Sequence, residues 1–325
     1  MRFIPDYTLK ILEEAAFQEG IGQITKALEA CKTSGYFPGF DGRKLYYEYF
    51  LAENSRASVV IVHGLSEFTK KFYELAYYLL NQGYNVFLYD QRCHGLSCRL
   101  TDRVDMLHVD RFEDYVSDLS LFISQVVTPA EDKPIYLYGH SMGGAVAACY
   151  LTRQGETVRK AILSAPMFRP TTGTVWAPAA RLGLGLLAAA QGPKTKFRLS
   201  QEFNPDHRFE LAIDQSRARF THNMSMRRGE KRYQSTPMTV GWVRESLAIG
   251  PRLLRRKRLA RIRTPILLLS AQKDTVVRVD AHHLFARLCP TCQLVTLKDA
   301  NHAMLSGKPE VLKQYLQQIL DYLGA

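Results

Sequence analysis

One glycine-rich stretch of the sequence has the pattern of a nucleophilic serine. Residues 139–143 read Gly-His-Ser-Met-Gly, which matches G-x-S-x-G, between an apolar run at 134–140 and a helical pattern at 142–154. In that context the serine occupies a strained turn between a strand and a helix, and the two glycines remove clashes that a Cβ would create. We predict Ser141 as a nucleophile in a turn shaped by Gly139 and Gly143. The alternative is a glycine-rich turn that only packs a helix.

A serine nucleophile needs a base, and the base needs a carboxylate that orients it. In a sheet with this kind of turn the order along the chain is serine, acid, histidine. Asp274 follows the apolar run PILLLSAQK, and His302 follows QLVTLKDAN. Both therefore come just after predicted strands, which predicts Asp274 as the acid and His302 as the base. Asp299 is a weaker candidate for the acid.

The negative oxygen of a tetrahedral intermediate requires two hydrogen-bond donors. One is predicted to be the backbone N–H of Met142, the residue after the nucleophile. The other is predicted from the loop His63–Glu67 after a predicted strand, as the backbone N–H of Leu65. His63 and His140 each stand beside a glycine, and we interpret them as residues that shape these loops.

Short apolar runs alternate with helical patterns along most of the chain, which is typical of a largely parallel sheet. Predicted strands lie at 44–52, 57–64, 85–90, 134–140, 160–166, 265–274 and 293–300, and predicted helices at 71–83, 111–126, 142–154, 280–288 and 310–322. About a hundred residues without this alternation follow the strand that ends near 165. We interpret residues 167–263 as an inserted helical cap over the carboxyl edge of the sheet, and 1–166 with 264–325 as the core.

The net charge of +12 is concentrated in one segment. Of the 43 basic and 31 acidic residues, 18 and 6 lie between Lys194 and Arg263, which leaves 25 of each sign elsewhere. The stretch RLLRRKRLARIR, Arg252–Arg263, has seven basic residues and no acidic one. This asymmetry favours an anionic partner. A basic surface that only aids solubility is the alternative.

Other features of the sequence exclude several classes of protein. No recognition helix, zinc module or aromatic stacking module accompanies the basic run, so we expect no nucleic-acid partner. Cys289 and Cys292 form a single CxxC, too few ligands for a zinc site, so we expect no metal. The apolar stretch Val175–Ala190 is interrupted by Pro178 and Arg181 and is short for a membrane span. With no secretory signal visible, a cytoplasmic location is expected, with peripheral contact on the inner face of the membrane.

Several motifs together resemble the α/β-hydrolase superfamily over essentially the whole chain. They are VIVHGLSE, VFLYDQRCHGLS, YLYGHSMGG, LLLSAQKDTVV and DANHAML. Within the superfamily they resemble the monoacylglycerol lipase and bacterial lysophospholipase group of S33-type hydrolases. The resemblance implies a mostly parallel eight-stranded sheet, helices on both faces, a helical cap, and a serine esterase without a cofactor. Two positions depart from the group: Cys93 and Ala300 stand where glycine is usual.

The function expected from these observations is hydrolysis of a lipid ester. A single-acyl glycerolipid with a phosphate near the arginines of the cap fits the charge, as in a lysophospholipase. A monoacylglycerol lipase or a general carboxylesterase is the nearest alternative, with the basic cap contacting an anionic membrane. An S33-type peptidase shares the scaffold, but the sequence marks no acidic pocket for a substrate amine. A binding protein without activity is the most distant alternative. Oligomeric state does not follow from these patterns.

Overall fold

The computed structural model describes residues 1–172, 177–211 and 215–324. The strands of this part of the chain are β1 (Thr33–Pro38), β2 (Lys44–Phe50), β3 (Ala57–Val62), β4 (Tyr84–Tyr89), β5 (Ile135–His140), β6 (Lys160–Ser164), β7 (Ile266–Ala271) and β8 (Cys292–Leu297). They form an eight-stranded sheet in the order β1-β2-β4-β3-β5-β6-β7-β8. β2 is antiparallel to β1 and β4, and all other pairs are parallel. The carboxyl ends of β3 to β8 therefore meet at one edge of the sheet, the carboxyl edge.

The burial of the strands explains which of them the sequence reveals. Every residue of β3, β4 and β7 is buried, as continuous apolar runs predict for strands covered on both faces. β1 was not among the predicted strands. Its sequence TSGYFP contains Gly35 and Pro38 and is mostly exposed, because β1 is an edge strand with only β2 as a neighbour.

Helices cover both faces of the sheet. The described helices are α1 (Phe17–Cys31), α2 (Tyr73–Asn81), α3 (Phe112–Phe122), α4 (Thr128–Ala130), α5 (Met142–Gln154), α6 (Ala177–Gln191), α7 (Arg217–Gly229), α8 (Val240–Leu253), α9 (Arg256–Leu259), α10 (Val279–Leu288) and α11 (Pro309–Gly324). α3, α5 and α10 pack on one face, whereas α1, α2 and α11 pack on the other. The predicted α/β-hydrolase fold is confirmed, and α1 is a helix that the sequence analysis did not include.

The segment 167–263, which we call the cap segment, contains α6 to α9. α6 packs on α8 through a small apolar cluster of Leu184, Ala188, Val240 and Leu247. Val175 and Trp176, the first residues of the apolar stretch noted in the sequence, lie outside the described residues. Leu182 and Leu186, on the opposite side of α6, are 68% and 66% exposed.

A buried ion pair ties α7 to the core. The guanidinium of Arg219 donates to both carboxylate oxygens of Glu74 in α2, at 2.9 and 2.6 Å, and to the carbonyl of Leu12 at 2.9 Å. Arg219 and Glu74 are 5% and 6% exposed. Because removing one partner of such a pair leaves a buried charge, α7 is fixed firmly to the body of the protein.

The basic run at the end of the cap segment leads away from the carboxyl edge. Gly250 of α8 lies against Phe168, after which the chain descends through α9 to Thr264, just before β7. The hydroxyl of Thr264 donates to the carbonyl of Gly155 at 2.8 Å, and Arg258 contacts Thr152 at 3.4 Å. Thr152 and Gly155 mark the far end of α5, so the run reaches the opposite, amino edge of the sheet.

Candidate active site

Ser141 lies in a sharp turn between β5 and α5. Its φ of 51° and ψ of −114° are strained for a residue with a side chain. A Cβ on Gly139 would lie 2.7 Å from the carbonyl oxygen of Gly143, and a Cβ on Gly143 would lie 2.0 Å from that of Val62. Both positions therefore require glycine so that α5 can begin directly against the sheet.

Three side chains predicted from the sequence form one hydrogen-bonded series at the carboxyl edge. The Ser141 hydroxyl lies 2.8 Å from Nε2 of His302, and Nδ1 of His302 lies 2.8 Å from Oδ2 of Asp274. Asp274 follows β7, and His302 follows β8. The second oxygen of Asp274 accepts the N–H groups of Val276 and Val277, both at 2.9 Å. The carboxylate is therefore held in a fixed orientation toward the imidazole.

The surroundings keep His302 neutral and Asp274 ionised. Burial lowers the pKa of His302 below its usual 6.5, and the charge of His140 lowers it further, against the opposing effect of Asp274. Burial alone would raise the pKa of Asp274, but its hydrogen bonds with His302, Val276 and Val277 hold the pKa below its usual range. A neutral imidazole beside a carboxylate is the state in which it can accept a proton from the serine.

The loop after β3 lies directly against the serine. A Cβ on Gly64 would be 3.1 Å from Cβ of Ser141, so the loop approaches as closely as a glycine allows. Among the described residues, the N–H groups of Leu65 and Met142 donate to no side chain and to no loop carbonyl. Both are thus available as donors beside Ser141, which is what an oxyanion requires.

The alternative acid does not join this series. Asp299 has a positive φ of 57°, its side chain is 74% exposed, and it pairs with Lys273 at 2.6 Å. Its position after β8 is close to His302 in the chain, but its carboxylate is directed to solvent and to that lysine.

Glu67 is a member of the site whose role the sequence analysis did not identify. It is 6% exposed and accepts hydrogen bonds from the Gly64 N–H at 2.6 Å, from His140 Nδ1 at 3.0 Å and from Lys71 Nζ at 2.6 Å. Burial would raise the pKa of Glu67, but His140 and Lys71 hold it well below its usual range. The signal in the sequence was a carboxylate three residues after the glycine of the loop, with a lysine four residues later.

Cys93 occupies a turn in which glycine is the less strained residue. Its φ is 63°, in the left-handed region, and its side chain packs with Leu100 and Leu107. Because a buried apolar cluster receives the thiol, the substitution is accommodated locally. Ala300, the second departure, is fully buried and its carbonyl accepts the N–H of Lys273 at 2.9 Å.

The basic run lies far from this site. Ten residues of α5 separate Met142 from Thr152, which Arg258 contacts, and this corresponds to about 15 Å along the helix axis. Arg258 and the basic residues that follow it therefore lie too far from Ser141 to bind a phosphate of its substrate, whereas the expectation of a phosphate near other arginines of the cap stays a prediction. Other arginines of the cap segment are engaged structurally, such as Arg219 with Glu74 and Arg227 over the ring of Phe203.

Comparisons with known proteins agree with this architecture. The family described as serine aminopeptidase, S33 matches residues 53–309. The chain belongs to this family. Lysophospholipase L2 of Escherichia coli K12 is 32% identical to it over 289 residues, which cover 87% of this chain and 81% of that protein. The monoglyceride lipase of Saccharomyces cerevisiae is 31% identical over 35% of this chain and 37% of that one.

A solved structure shares the fold of this chain. The crystal structure of a soluble variant of the Saccharomyces cerevisiae monoglyceride lipase, with a substrate analogue, covers 90% of this chain and 94% of its own at a TM-score of 0.73 and 20% identity. The predicted resemblance and the predicted class, a serine hydrolase of the α/β type, are confirmed. Among the described residues no helix is long and apolar enough to cross a membrane, and no cluster of His, Cys, Asp or Glu could hold a metal ion.

Proposed function

We propose that the chain is a lysophospholipase-like carboxylic ester hydrolase that releases a fatty acid from single-acyl glycerolipids. The observation that carries the proposal is the series Ser141–His302–Asp274, with both hydrogen bonds at 2.8 Å and a neutral base. The free N–H groups of Leu65 and Met142 beside the serine add to it. A triad of this kind with donors for an oxyanion is suited to acyl transfer.

In the proposed mechanism, Ser141 attacks the ester carbonyl while Nε2 of His302 takes its proton. Asp274 accepts a hydrogen bond from Nδ1–H of His302 and so fixes the tautomer that leaves the Nε2 lone pair free. Leu65 and Met142 donate to the oxyanion. His302 then gives the proton to the leaving glycerol oxygen, which breaks the C–O bond and leaves an acyl-enzyme. Water, deprotonated by His302, attacks this ester, and His302 returns the proton to Oγ of Ser141 as the acyl–oxygen bond breaks and the fatty acid leaves.

The substrate class is supported by similarity rather than by the site itself. Lysophospholipase L2 of Escherichia coli is similar over most of both chains. The monoglyceride lipases are similar over about a third of this chain, which supports monoacylglycerols as the second candidate substrates. Lysophospholipids and monoacylglycerols both have one acyl chain on glycerol, but only lysophospholipids carry a phosphate.

An activity panel separates these candidates. Hydrolysis of lysophosphatidylethanolamine, monoacylglycerol and p-nitrophenyl esters would be measured for the wild type, for Ser141→Ala and for the control Ser120→Ala, whose hydroxyl contacts Gln154 at the far end of α5. We expect a higher kcat/KM for the lysophospholipid and no activity for Ser141→Ala. Preference for the monoacylglycerol would move the assignment to the lipase. Absence of hydrolysis, together with no fluorophosphonate labelling of Ser141, would contradict an enzymatic role.

We also propose that the basic run Arg252–Arg263 binds to the surface of an anionic membrane. Arg255, Arg256, Lys257, Arg261 and Arg263 are exposed, and none of them forms a salt bridge with another residue of the described chain. Among the apolar residues of the run, Leu253, Leu259 and Ile262 are buried and Leu254 is partly buried. The run is thus a charged surface without insertion residues, and each cation near an anionic bilayer contributes about 1 kcal/mol.

Vesicle sedimentation tests this contact. The variant Arg256→Glu/Lys257→Glu/Arg261→Glu is expected to lose binding to vesicles that contain phosphatidylglycerol, and neither protein should bind pure phosphatidylcholine. The control Lys26→Glu/Lys298→Glu/Lys313→Glu changes the net charge equally at three exposed lysines elsewhere. Equal loss of binding in both variants would show that only net charge matters and would contradict a local docking surface.

A further inference from the structure

His282 in α10 is a fully buried histidine that contacts the loop after β6. Its Nε2 lies 2.9 Å from the carbonyl oxygen of Pro166, and its Nδ1 lies 2.8 Å from the hydroxyl of Ser270 in β7. A carbonyl oxygen only accepts, so Nε2–H is the donor of the first hydrogen bond. Burial lowers the pKa of His282 below its usual 6.5, and the neutral ring accepts a hydrogen bond from the Ser270 hydroxyl at Nδ1.

The loop after β6 is bonded directly to the turn of the nucleophile. The Ser141 N–H donates to the carbonyl of Ser164 at 2.9 Å, and the Met167 N–H donates to the carbonyl of Ser141 at 2.8 Å. Pro166 lies between these two contacts and packs against α5, because a Cβ on Gly144 would be 2.8 Å from Cβ of Pro166. The position of this loop therefore determines the position of the Ser141 backbone.

Both the loop and the nucleophile turn contain a strained residue. Ser141 has a φ of 51°, and Ala165, directly before Pro166, has a φ of 42°. Neither is a glycine, and such a conformation persists only where the surrounding contacts hold it. The hydrogen bond from His282 reaches the strained loop from α10, outside the sheet and outside the nucleophile turn.

The loop after β6 is also bonded to the loop that carries the acid. The Arg278 N–H donates to the carbonyl of Arg169 at 2.9 Å, and the Thr171 N–H donates to the carbonyl of Val276 at 2.9 Å. Val276 donates its own N–H to Asp274. The loop after β6 therefore joins the turn of the serine to the loop of the acid, and α10 begins directly after the loop of the acid.

We propose that His282 is a positioning residue for the reaction, whose hydrogen bond to Pro166 holds the Ser141 turn in its reactive position. It acts through Pro166 and not on the substrate. Without this bond the strained backbone at Ala165 relaxes, and the Ser141 hydroxyl moves relative to Nε2 of His302. A displacement of about 1 Å at a reacting group lowers the rate by about a hundredfold. The inference rests on the proposed role of Ser141 in ester hydrolysis.

Two polar substitutions separate the contact with Pro166 from the contact with Ser270. The amide nitrogen of glutamine lies three bonds from Cβ, as Nε2 of histidine does, so His282→Gln keeps a donor for Pro166. The amide nitrogen of asparagine lies two bonds from Cβ, as Nδ1 does, so His282→Asn faces Ser270 and does not reach Pro166.

The steady-state kinetics of p-nitrophenyl ester hydrolysis measure the difference. We expect His282→Asn to lower kcat by about ten- to a hundredfold and to change KM by less than about threefold, because the reacting groups lose alignment while binding contacts remain. His282→Gln should keep at least about a third of the wild-type kcat, because it keeps the alignment. The rate of fluorophosphonate labelling of Ser141 should fall in parallel with kcat.

The matched control is His108→Asn. His108 is also fully buried, and its ring nitrogens lie 2.7 Å from the Thr239 hydroxyl and 3.1 Å from Asp110, beside the N-terminus of α8. We expect this variant to lower the midpoint of thermal unfolding and to leave kcat per labelled active site unchanged. A His282→Asn enzyme with the wild-type kcat, or equal kcat in His282→Asn and His282→Gln, would overturn the inference and leave the proposed hydrolase function intact.

Direct observation of the ring covers the case in which the variants do not fold. In 15N-histidine-labelled wild-type protein at pH 7, His282 should carry its proton on Nε2 and none on Nδ1. Its signals can be assigned through contacts with the ring of Phe168, whose centroid lies 5.9 Å from that of the imidazole. A proton on Nδ1 alone would overturn the proposal, because Nε2 cannot then donate to Pro166. A wild-type protein that hydrolyses no ester would instead contradict the proposed function.

Discussion

Replacing Asp274 by asparagine should nearly abolish activity by fixing the wrong tautomer of His302. One oxygen of Asp274 accepts the N–H groups of Val276 and Val277, and the other accepts Nδ1–H of His302. The asparagine oxygen would stay on the two main-chain donors, so that its NH2 group faces Nδ1. His302 would then carry its proton on Nε2, toward Ser141, and could not act as a base.

The size of this effect follows from the contacts. The opposite orientation of the amide would leave the N–H groups of Val276 and Val277 without their acceptor, at about 0.5–1.5 kcal/mol for each lost hydrogen bond. With about 1.4 kcal/mol for each factor of ten, a total of roughly 1–3 kcal/mol leaves about a sixth of the molecules or fewer in the productive state. The variant also loses the carboxylate that stabilises the imidazolium, and together these losses correspond to a decrease in kcat of about 10⁴-fold.

The assay is p-nitrophenyl ester hydrolysis, with thermal unfolding as a check on the fold. Asp274→Ala is the matched variant, because it removes the carboxylate without presenting an NH2 group to Nδ1. We expect it to be more active than Asp274→Asn. An Asp274→Asn enzyme that keeps more than about a tenth of the wild-type activity, or an alanine variant that is the weaker of the two, would refute the tautomer argument.

Four positions give further expectations for stability. Gly143→Ala should destabilise the fold by about 3 kcal/mol or more, because the new Cβ would lie 2.0 Å from the Val62 carbonyl oxygen. Gly183→Ala in α6, where a Cβ would have no atom within 4 Å, should instead stabilise the fold by about 0.5–1 kcal/mol. Thermal unfolding of the two variants measures both effects. Arg219→Met should lower the free energy of unfolding in urea by about 3–5 kcal/mol, because Glu74 is left as a buried charge without its partner. Adding Glu74→Gln should restore part of that free energy. An unchanged urea midpoint for Arg219→Met would argue against the ion pair as an anchor. Burial lowers the pKa of His63 from 6.5 to about 4. Between pH 6.5 and pH 4 the unfolded chain therefore binds a proton at His63 that the folded chain does not. As the pH falls through this range, His63 should lower the free energy of unfolding by about 1.4 kcal/mol per pH unit. His63→Gln should reduce this slope.

The sequence predicts the parts of the site that depend on local pattern. Ser141 stands out because the turn needs glycine at fixed distances, and Asp274 and His302 stand out because each follows a continuous apolar run. β1 has no such run: it is exposed and contains Gly35 and Pro38, so its place in the sheet comes from pairing with β2 rather than from its own pattern.

Features that depend on distant contacts could not be predicted in this way. Glu67 and His140 are 73 residues apart, and only the folded chain shows that their side chains are joined by a hydrogen bond. The basic run was expected over the carboxyl edge of the sheet because it belongs to the cap segment in sequence. In space the chain has already passed Phe168 by Gly250 and reaches the amino edge at Thr264, so proximity in sequence gave the wrong location.

The position of the basic run also bears on how a lipid reaches the serine. If the protein rests on a bilayer through Arg255–Arg263 at the amino edge, the carboxyl edge of the sheet, which holds Ser141, faces the aqueous phase. A substrate must then desorb and diffuse around the molecule before hydrolysis. Lipids with one chain exchange readily with water, because a single acyl chain binds membranes only marginally, whereas two-chain lipids remain in the bilayer. Such an orientation would discriminate against diacyl lipids by their rate of escape, without any steric filter in the pocket.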